Sequence, residues 1–245
     1  MKVIRAKDSF EAGAFAAELI AAQVKQKPDC VLGLATGSTP LDTYAQLIAA
    51  YRAGELDFSC VRTVNLDEYV GLGPDHDQSY AWFMRHNLFE SINIDPHNTH
   101  IPDGITADPD AECQRYDALI ASLGGVDLQL LGIGPNAHIG FNEPGDAFIP
   151  ETHVVKLTDS TIAANARFFA SVDQVPRQAI TMGIRAILQA RKVVLIATGT
   201  GKAKAVCDAF WGPVTPLVPA SILQLHPDFT LVADEDALSL TPSSN

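Results

Sequence analysis

Basic residues are scarce: 17 Lys and Arg stand against 29 Asp and Glu, a formal charge of −12. Such a field keeps nucleic acid and anionic membrane away from most of the surface. It also obliges any anionic ligand to be held by a local cluster of donors. Cysteine is sparse as well. The four thiols, Cys30, Cys60, Cys113 and Cys207, are widely separated and form no CxxC pair. That argues against structural disulfides and thiolate zinc sites and favours a reducing cytoplasm. No stretch approaches the ~18 uncharged apolar residues of a membrane span. The opening MKVIRAKDSFE lacks the apolar core of a signal peptide. A Gly-, Ser- or Pro-rich linker, a short-period repeat and a charge block are also missing. The 245 residues, 47% hydrophobic and 19% charged, therefore read as one soluble domain with a real core.

What is present is an alternation of apolar runs and helical patterns. Strands are predicted at Lys2–Arg5, Cys30–Ala35, Val61–Leu66, Leu128–Ile133, Lys192–Thr198 and Thr230–Ala233. Several are continuously apolar, as strands are when helices cover both faces of a parallel sheet. Asp8-Ser9-Phe10-Glu11 is a capping-box pattern that opens an Ala-rich helix to about Lys25. Asp108-Pro109 supplies a cap and an N1 proline for a helix to about Ser122. Pro40 is placed to open another after Thr39. The fold class that follows is a doubly wound, mainly parallel α/β sheet of Rossmann-like type, a single domain over residues 1–237 with residues 238–245 as a tail.

Candidate chemistry sits where the predicted strands end. Thr36, Gly37, Ser38 and Thr39 lie between a strand and a helix, where free N–H groups favour anions. The same residues also suit a tight turn with Thr39 as N-cap. Ala197-Thr198-Gly199-Thr200-Gly201-Lys202 ends a later strand in a similar way and adds a cation. It is no Walker A loop, because Ala203 stands where the Mg²⁺-binding Ser or Thr would be. Two such loops shift the balance toward a phosphate site, with Lys202 as a candidate clamp or, more blandly, a solvated helix lysine. Gly132-Ile133-Gly134-Pro135-Asn136-Ala137 matches a relaxed dinucleotide pattern, but the Gly- and Pro-containing residues 138–145 cannot open a regular helix, so NAD is rejected.

The segment then offers Asn136, His138 and Glu143 together on irregular backbone, a histidine with an amide and a carboxylate for a proton shuttle or, more blandly, a satisfied structural histidine. Zinc is not expected there, and His97 and His100 read as surface residues. Asp67 and Glu68 are adjacent carboxylates at another strand end, of which one can point into a pocket while Asp67 alone could cap the next turn. Arg167 is a second candidate for gripping phosphate, since a guanidinium forks onto its oxygens.

Taken together, LATGSTP at 34–40, NLDEYVGL at 65–72, GIGPNAHIGFNEPG at 132–145, NARFF at 165–169, VPRQAITMG at 175–183 and SILQLHP at 221–227 resemble the glucosamine-6-phosphate deaminase family in order along nearly the whole chain. The resemblance implies conversion of D-glucosamine 6-phosphate and water to D-fructose 6-phosphate and ammonia, with no metal or organic cofactor. It implies that His138, supported by Asn136 and Glu143, opens the sugar ring and that Asp67 moves the C2 proton to C1. It implies phosphate on Thr36, Gly37, Ser38 and Thr39 with Arg167 and Lys202, and a mobile lid over about 158–176. Ala137 departs from the glycine often found there. Effector-site basic residues are not evident around His153–Thr158, and the chain stops soon after Leu240. A monomer or small homo-oligomer is expected rather than a hexamer, with little activation by N-acetylglucosamine 6-phosphate. The alternatives sharing this fold are a 6-phosphogluconolactonase-like hydrolase and a non-catalytic sugar-phosphate sensor.

Overall fold

The continuously apolar segments become the interior of a seven-stranded parallel sheet. Its order is β1 (Lys2–Ala6), β10 (Phe229–Asp234), β9 (Lys192–Ala197), β6 (Leu128–Leu131), β2 (Val31–Leu34), β3 (Arg62–Asn65) and β5 (Thr99–His100). The computed structural model describes residues 1–158, 162, 163, 166, 169 and 171–242. Along β9 the side chains divide by the period of two: Val193, Leu195 and Ala197 enter one core, Val194 and Ile196 the other. Helices α1 (Ser9–Gln26), α2 (Leu41–Arg52) and α3 (Tyr80–Asn87) cover the second core, and α4 (Pro109–Ser122), α5 (Ile184–Gln189) and α6 (Ala203–Trp211) the first.

The helix starts follow their local chemistry. Asp8 accepts from Glu11 N–H, while the Glu11 carboxylate accepts from Lys7 N–H, one residue earlier than a standard box. Asp108 accepts from Ala111 N–H ahead of Pro109. At α2 the cap residue is Pro40 rather than Thr39, and no side chain bonds the helix end. The segment expected as a tail starts inside the core: Leu238 is buried, and its N–H donates to Asp234 O.

Four short strands were not expected. Three of them, β4 (Asp67–Tyr69), β8 (Gln178–Thr181) and β7 (His153–Lys156), form a separate antiparallel sheet in the order β4-β8-β7; the fourth is the edge strand β5. A single residue, Leu66, links β3 to β4 and so joins the two sheets. Its N–H donates to Leu34 O in the parallel sheet, and its C=O accepts from Met182 N–H beside β8.

At the opposite end of the parallel strands, Asp127 joins their beginnings. Its carboxylate accepts from Lys27 Nζ at 2.8 Å, Val31 N–H at 2.8 Å and Arg191 Nη1 at 2.7 Å. Burial raises its proton affinity, but these partners overcome that and hold the carboxyl below its usual value. Asp127→Ala should lower stability by about 2–4 kcal/mol in a urea melt at pH 7, because an amide and two cations lose a shared acceptor. The wild-type contribution is present above the ordinary carboxylate pKa and is lost only as pH falls through the lowered one.

Candidate active site

The direction of winding reverses between β2 and β6, where open α/β sheets bind ligands. Four loops emerge around that point, after β2, β3, β6 and β9. They carry Thr36–Thr39, Asp67, residues 132–143 and Lys202. Thr36, Gly37 and Thr39 are half-buried and Ser38 is exposed, so the β2 loop is open to a ligand. Thr39 packs against Gly132, and Lys202 Nζ donates to Ile133 O at 2.6 Å. The β2 and β9 loops thus both lean on the start of the β6 loop. Lys202 is a half-buried group aimed into the loop cluster, not a solvated helix lysine.

The second anion-friendly loop is less free than its composition implies. Gly199 N–H donates to both carboxylate oxygens of Asp234, at 3.0 and 2.9 Å. Asp234 ends β10, more than thirty residues later in the sequence, and no local motif signals that pairing.

The β6 loop has no regular helix, as the glycines and proline of residues 138–145 imply. Two tight turns shape it, closed by Ala137 N–H to Gly134 O and by Asn142 N–H to Ile139 O. The His138 ring lies directly on Gly134; a Cβ added there would stand 2.3 to 2.5 Å from three ring atoms. Only glycine allows that approach. Asn136 spans the polar group: its Nδ2 donates to Glu143 Oε2 at 2.6 Å, and its Oδ1 accepts from His138 N–H at 3.3 Å. Glu143 Oε2 is also 3.6 Å from His138 Nδ1. The structure therefore brings Asn136, His138 and Glu143 into one connected unit, a histidine held between an amide and a carboxylate.

Asp67 reaches the same loop from the other sheet. Its carboxyl is buried, and Oδ2 lies 3.4 Å from where a Cβ on Gly140 would stand. Burial, and then the charge of Glu68, pushes Asp67 up to about 8. A carboxylate with that affinity is a competent base near neutrality. The capping role considered for Asp67 belongs instead to Glu68, whose carboxylate accepts from Tyr80 and Ala81 N–H at the start of α3.

Around these groups lies an aromatic cluster that sequence reasoning missed. Tyr69 packs against Tyr80, Phe141 and Phe169, with Tyr80 stacked on Phe141 at 6.0 Å. Arg167 lies outside the described residues, as does much of 158–176. His97 is exposed, whereas His100 is half-buried on β5. Among the described residues no group of three or more His, Cys, Asp or Glu side chains could hold a metal ion.

The model of the glucosamine-6-phosphate isomerase and 6-phosphogluconolactonase family matches residues 8–231. The chain belongs to this family. It is 60% identical to a glucosamine-6-phosphate deaminase of Lachnoclostridium phytofermentans, over 95% of this chain and 98% of that one. Its fold is similar to the solved structure of a monomeric glucosamine-6-phosphate deaminase, with TM-score 0.96 and 48% identity over 98% of this chain and 100% of that one. A 6-phosphogluconolactonase of Thermotoga maritima aligns at TM-score 0.73 and 20% identity, over 95% of this chain and 99% of that one. At that identity the likeness concerns the fold alone.

Ala137, the departure noted in the family's loop, is buried and adopts φ +66°, the left-handed region. There a methyl group costs about 1–2 kcal/mol, offset by its burial and by the lower chain entropy of alanine over glycine. Ala137→Gly should therefore stay within about 1 kcal/mol of the parent in a urea melt. Ala137→Val, β-branched at the same φ, should lose about 2 kcal/mol or more and most of the activity.

Proposed function

We propose that this protein is the enzyme that deaminates and isomerises D-glucosamine 6-phosphate, giving D-fructose 6-phosphate and ammonia. The observation that carries the reading is the buried Asp67 carboxyl, pushed up to about 8 and set against the loop that holds His138. A carbon acid needs a strong base fixed over one face of the reacting carbons, and burial supplies such a base from a carboxylate.

In this reading the phosphate rests on the β2 loop, Thr36 to Thr39, with Lys202 and Arg167 as cations. Binding energy from that remote group then positions the sugar carbons. His138, oriented by Asn136 and Glu143, moves the proton between the anomeric hydroxyl and the ring oxygen as the pyranose opens. Asp67 removes the C2 proton of the open aldose and returns it to C1. The C1 carbonyl oxygen takes up a proton as the C2 ammonium gives one up, so C1 becomes the hydroxymethyl group and C2 an iminium carbon; water adds to C2, and the C–N bond breaks to release ammonia and leave the ketone. Every proton is returned, so the cycle consumes one water.

Residues 1–237 form the catalytic unit in this reading, and 158–176 closes over the substrate. Ile162 and Phe169 of that segment support closure, because they pack in the same cluster as Tyr69 and Phe141. No helix is long and apolar enough to cross a membrane, among the described residues. A cytoplasmic monomer or small oligomer is the assignment we favour; an exposed Cys60 thiol suits a reducing compartment.

Ammonia and fructose 6-phosphate followed together from glucosamine 6-phosphate, with EDTA present, should appear in equal amounts. Lactone hydrolysis without ammonia release would point to the hydrolase reading, and binding without turnover to a sensor. Asp67→Asn should abolish ammonia release while the substrate still binds. The wild-type kcat/KM should rise with pH through about 8 as Asp67 ionises, since only the carboxylate can take the proton. Lys202→Ala should raise KM about tenfold or more with a smaller change in kcat, because the phosphate contact is shared by ground and transition states.

A further inference from the structure

Glu68 is nearly fully buried on β4, next to Asp67, and the proposed reaction gives it no part. Successive strand residues face opposite ways, so Asp67 turns toward the Gly140 turn and Glu68 toward α3. Its Oε1 accepts from Tyr69 N–H at 2.8 Å and Tyr80 N–H at 2.9 Å, and Oε2 accepts from Ala81 N–H at 2.9 Å. The loop after β5 closes over its stem: a Cβ on Gly104 would stand 3.1 Å from Glu68 Cγ and 2.3 Å from Tyr69 O.

We infer that Glu68 is a positioning residue for the proposed base: a carboxylate clamped by three backbone N–H groups that fixes β4 on the start of α3 and, near and above neutrality, places a negative charge beside Asp67. This inference rests on the reading of Asp67 as the base. The donor set specifies the ion. All three partners donate, and a carboxylate only accepts, whereas the amide of glutamine would turn an NH₂ group toward one of the donors.

Among the described residues, Glu68 is the charge that raises the proton affinity of Asp67 beyond the effect of burial. From β8 the residue opposite Asp67 is the neutral Thr181. Tyr69 of β4, Tyr80 of α3 and Tyr116 of α4 face the pair, and burial pushes each hydroxyl upward, so all three stay protonated near neutrality. His138 and Glu143 on the β6 loop, Lys202 after β9 and Asp234, which holds the β9 loop, are further titratable groups of the loop cluster among the described residues. Burial pushes Glu68 itself up to about 7, and its three N–H donors work in the opposite direction, toward the ion. Near and above neutrality, therefore, Asp67 loses its proton beside a charge that resists the loss, and the resulting carboxylate is the stronger base.

The test compares the wild type, Glu68→Gln and Ser79→Ala, with glucosamine 6-phosphate as substrate and ammonia as readout across pH 5.5 to about 9.5, the span in which buried carboxyls of this kind titrate. Ser79 caps the same helix by accepting from Trp82 N–H, so its loss weakens α3 and leaves the Glu68 charge in place. Glu68→Gln should cut kcat about tenfold with little change in KM, and move the acid limb of kcat/KM down by about one pH unit. Ser79→Ala should lower the melting temperature and leave the acid limb where it was. An unmoved limb in Glu68→Gln, with a kcat loss no larger than that of Ser79→Ala, would reduce Glu68 to a structural cap and overturn the inference. Should Glu68→Gln not fold, Glu68→Asp decides: it keeps the charge on a shorter stem, so a lower kcat with an unmoved limb is expected, and wild-type kcat overturns the positioning role. Wild-type protein that releases no ammonia would instead remove the function reading.

Discussion

The site depends on one crossing of the backbone. At Leu66 the chain leaves the parallel sheet and enters the antiparallel one, with an amide bonded to each. Both hydrogen bonds lie inside the protein, where leaving either group unpaired is costly. They therefore fix the direction in which Asp67 departs from β3. A carboxyl set at a junction of two sheets has little water to solvate its charge, and its high proton affinity follows from that placement.

Around the crossing, the four loops divide the work by charge. The β2 loop and Lys202 offer N–H groups and a cation, while Asp67 and Glu143 bring carboxyls to the Gly140 turn and the β6 loop. An anionic ligand approaching a protein of charge −12 is repelled by the surface as a whole. In the proposed reading a sugar phosphate is oriented by the same arrangement, its phosphate held by the β2 loop and Lys202 and its amino-bearing carbon set toward Asp67. The polarity of the site thus favours one orientation of the ligand before any specific hydrogen bond forms.

Much of this was legible in the sequence, and the reasons differ from one residue to the next. Several of the six expected parallel strands could be read because burial on both faces leaves continuous apolar runs, and the caps at Asp8 and Asp108 because their partners lie three residues away. The strands β4, β7 and β8 could not. They are three or four residues long, and β4 pairs with β8 across more than a hundred residues while β7 pairs with β8 across more than twenty. The grouping of Asn136, His138 and Glu143 was local and could be seen. The exchange of roles between Asp67 and Glu68 was not, because the helix that Glu68 caps begins twelve residues later, beyond an irregular loop. Asp234 escaped for the same reason: its partner at Gly199 is adjacent only once β9 and β10 pair.

The order of strands has a consequence for how the molecule comes into being. The first strand made, β1, has a single neighbour in the sheet, β10, the last strand made, with Lys2 beside Thr230. During synthesis the amino-terminal strand emerges long before its partner exists. The central group of β2, β3 and β6 can pair earlier, so the β1 edge is the part of the sheet that closes last. Contacts of such long sequence separation slow folding and leave an unpaired edge open in the meantime. The proposed active site lies around the early-paired strands, with Lys202 following β9, and the β1 edge is removed from β2 and β6 in the order of strands. Because β1 and β10 run parallel, no tight turn could join them, and this edge is completed only by segments far apart in the sequence.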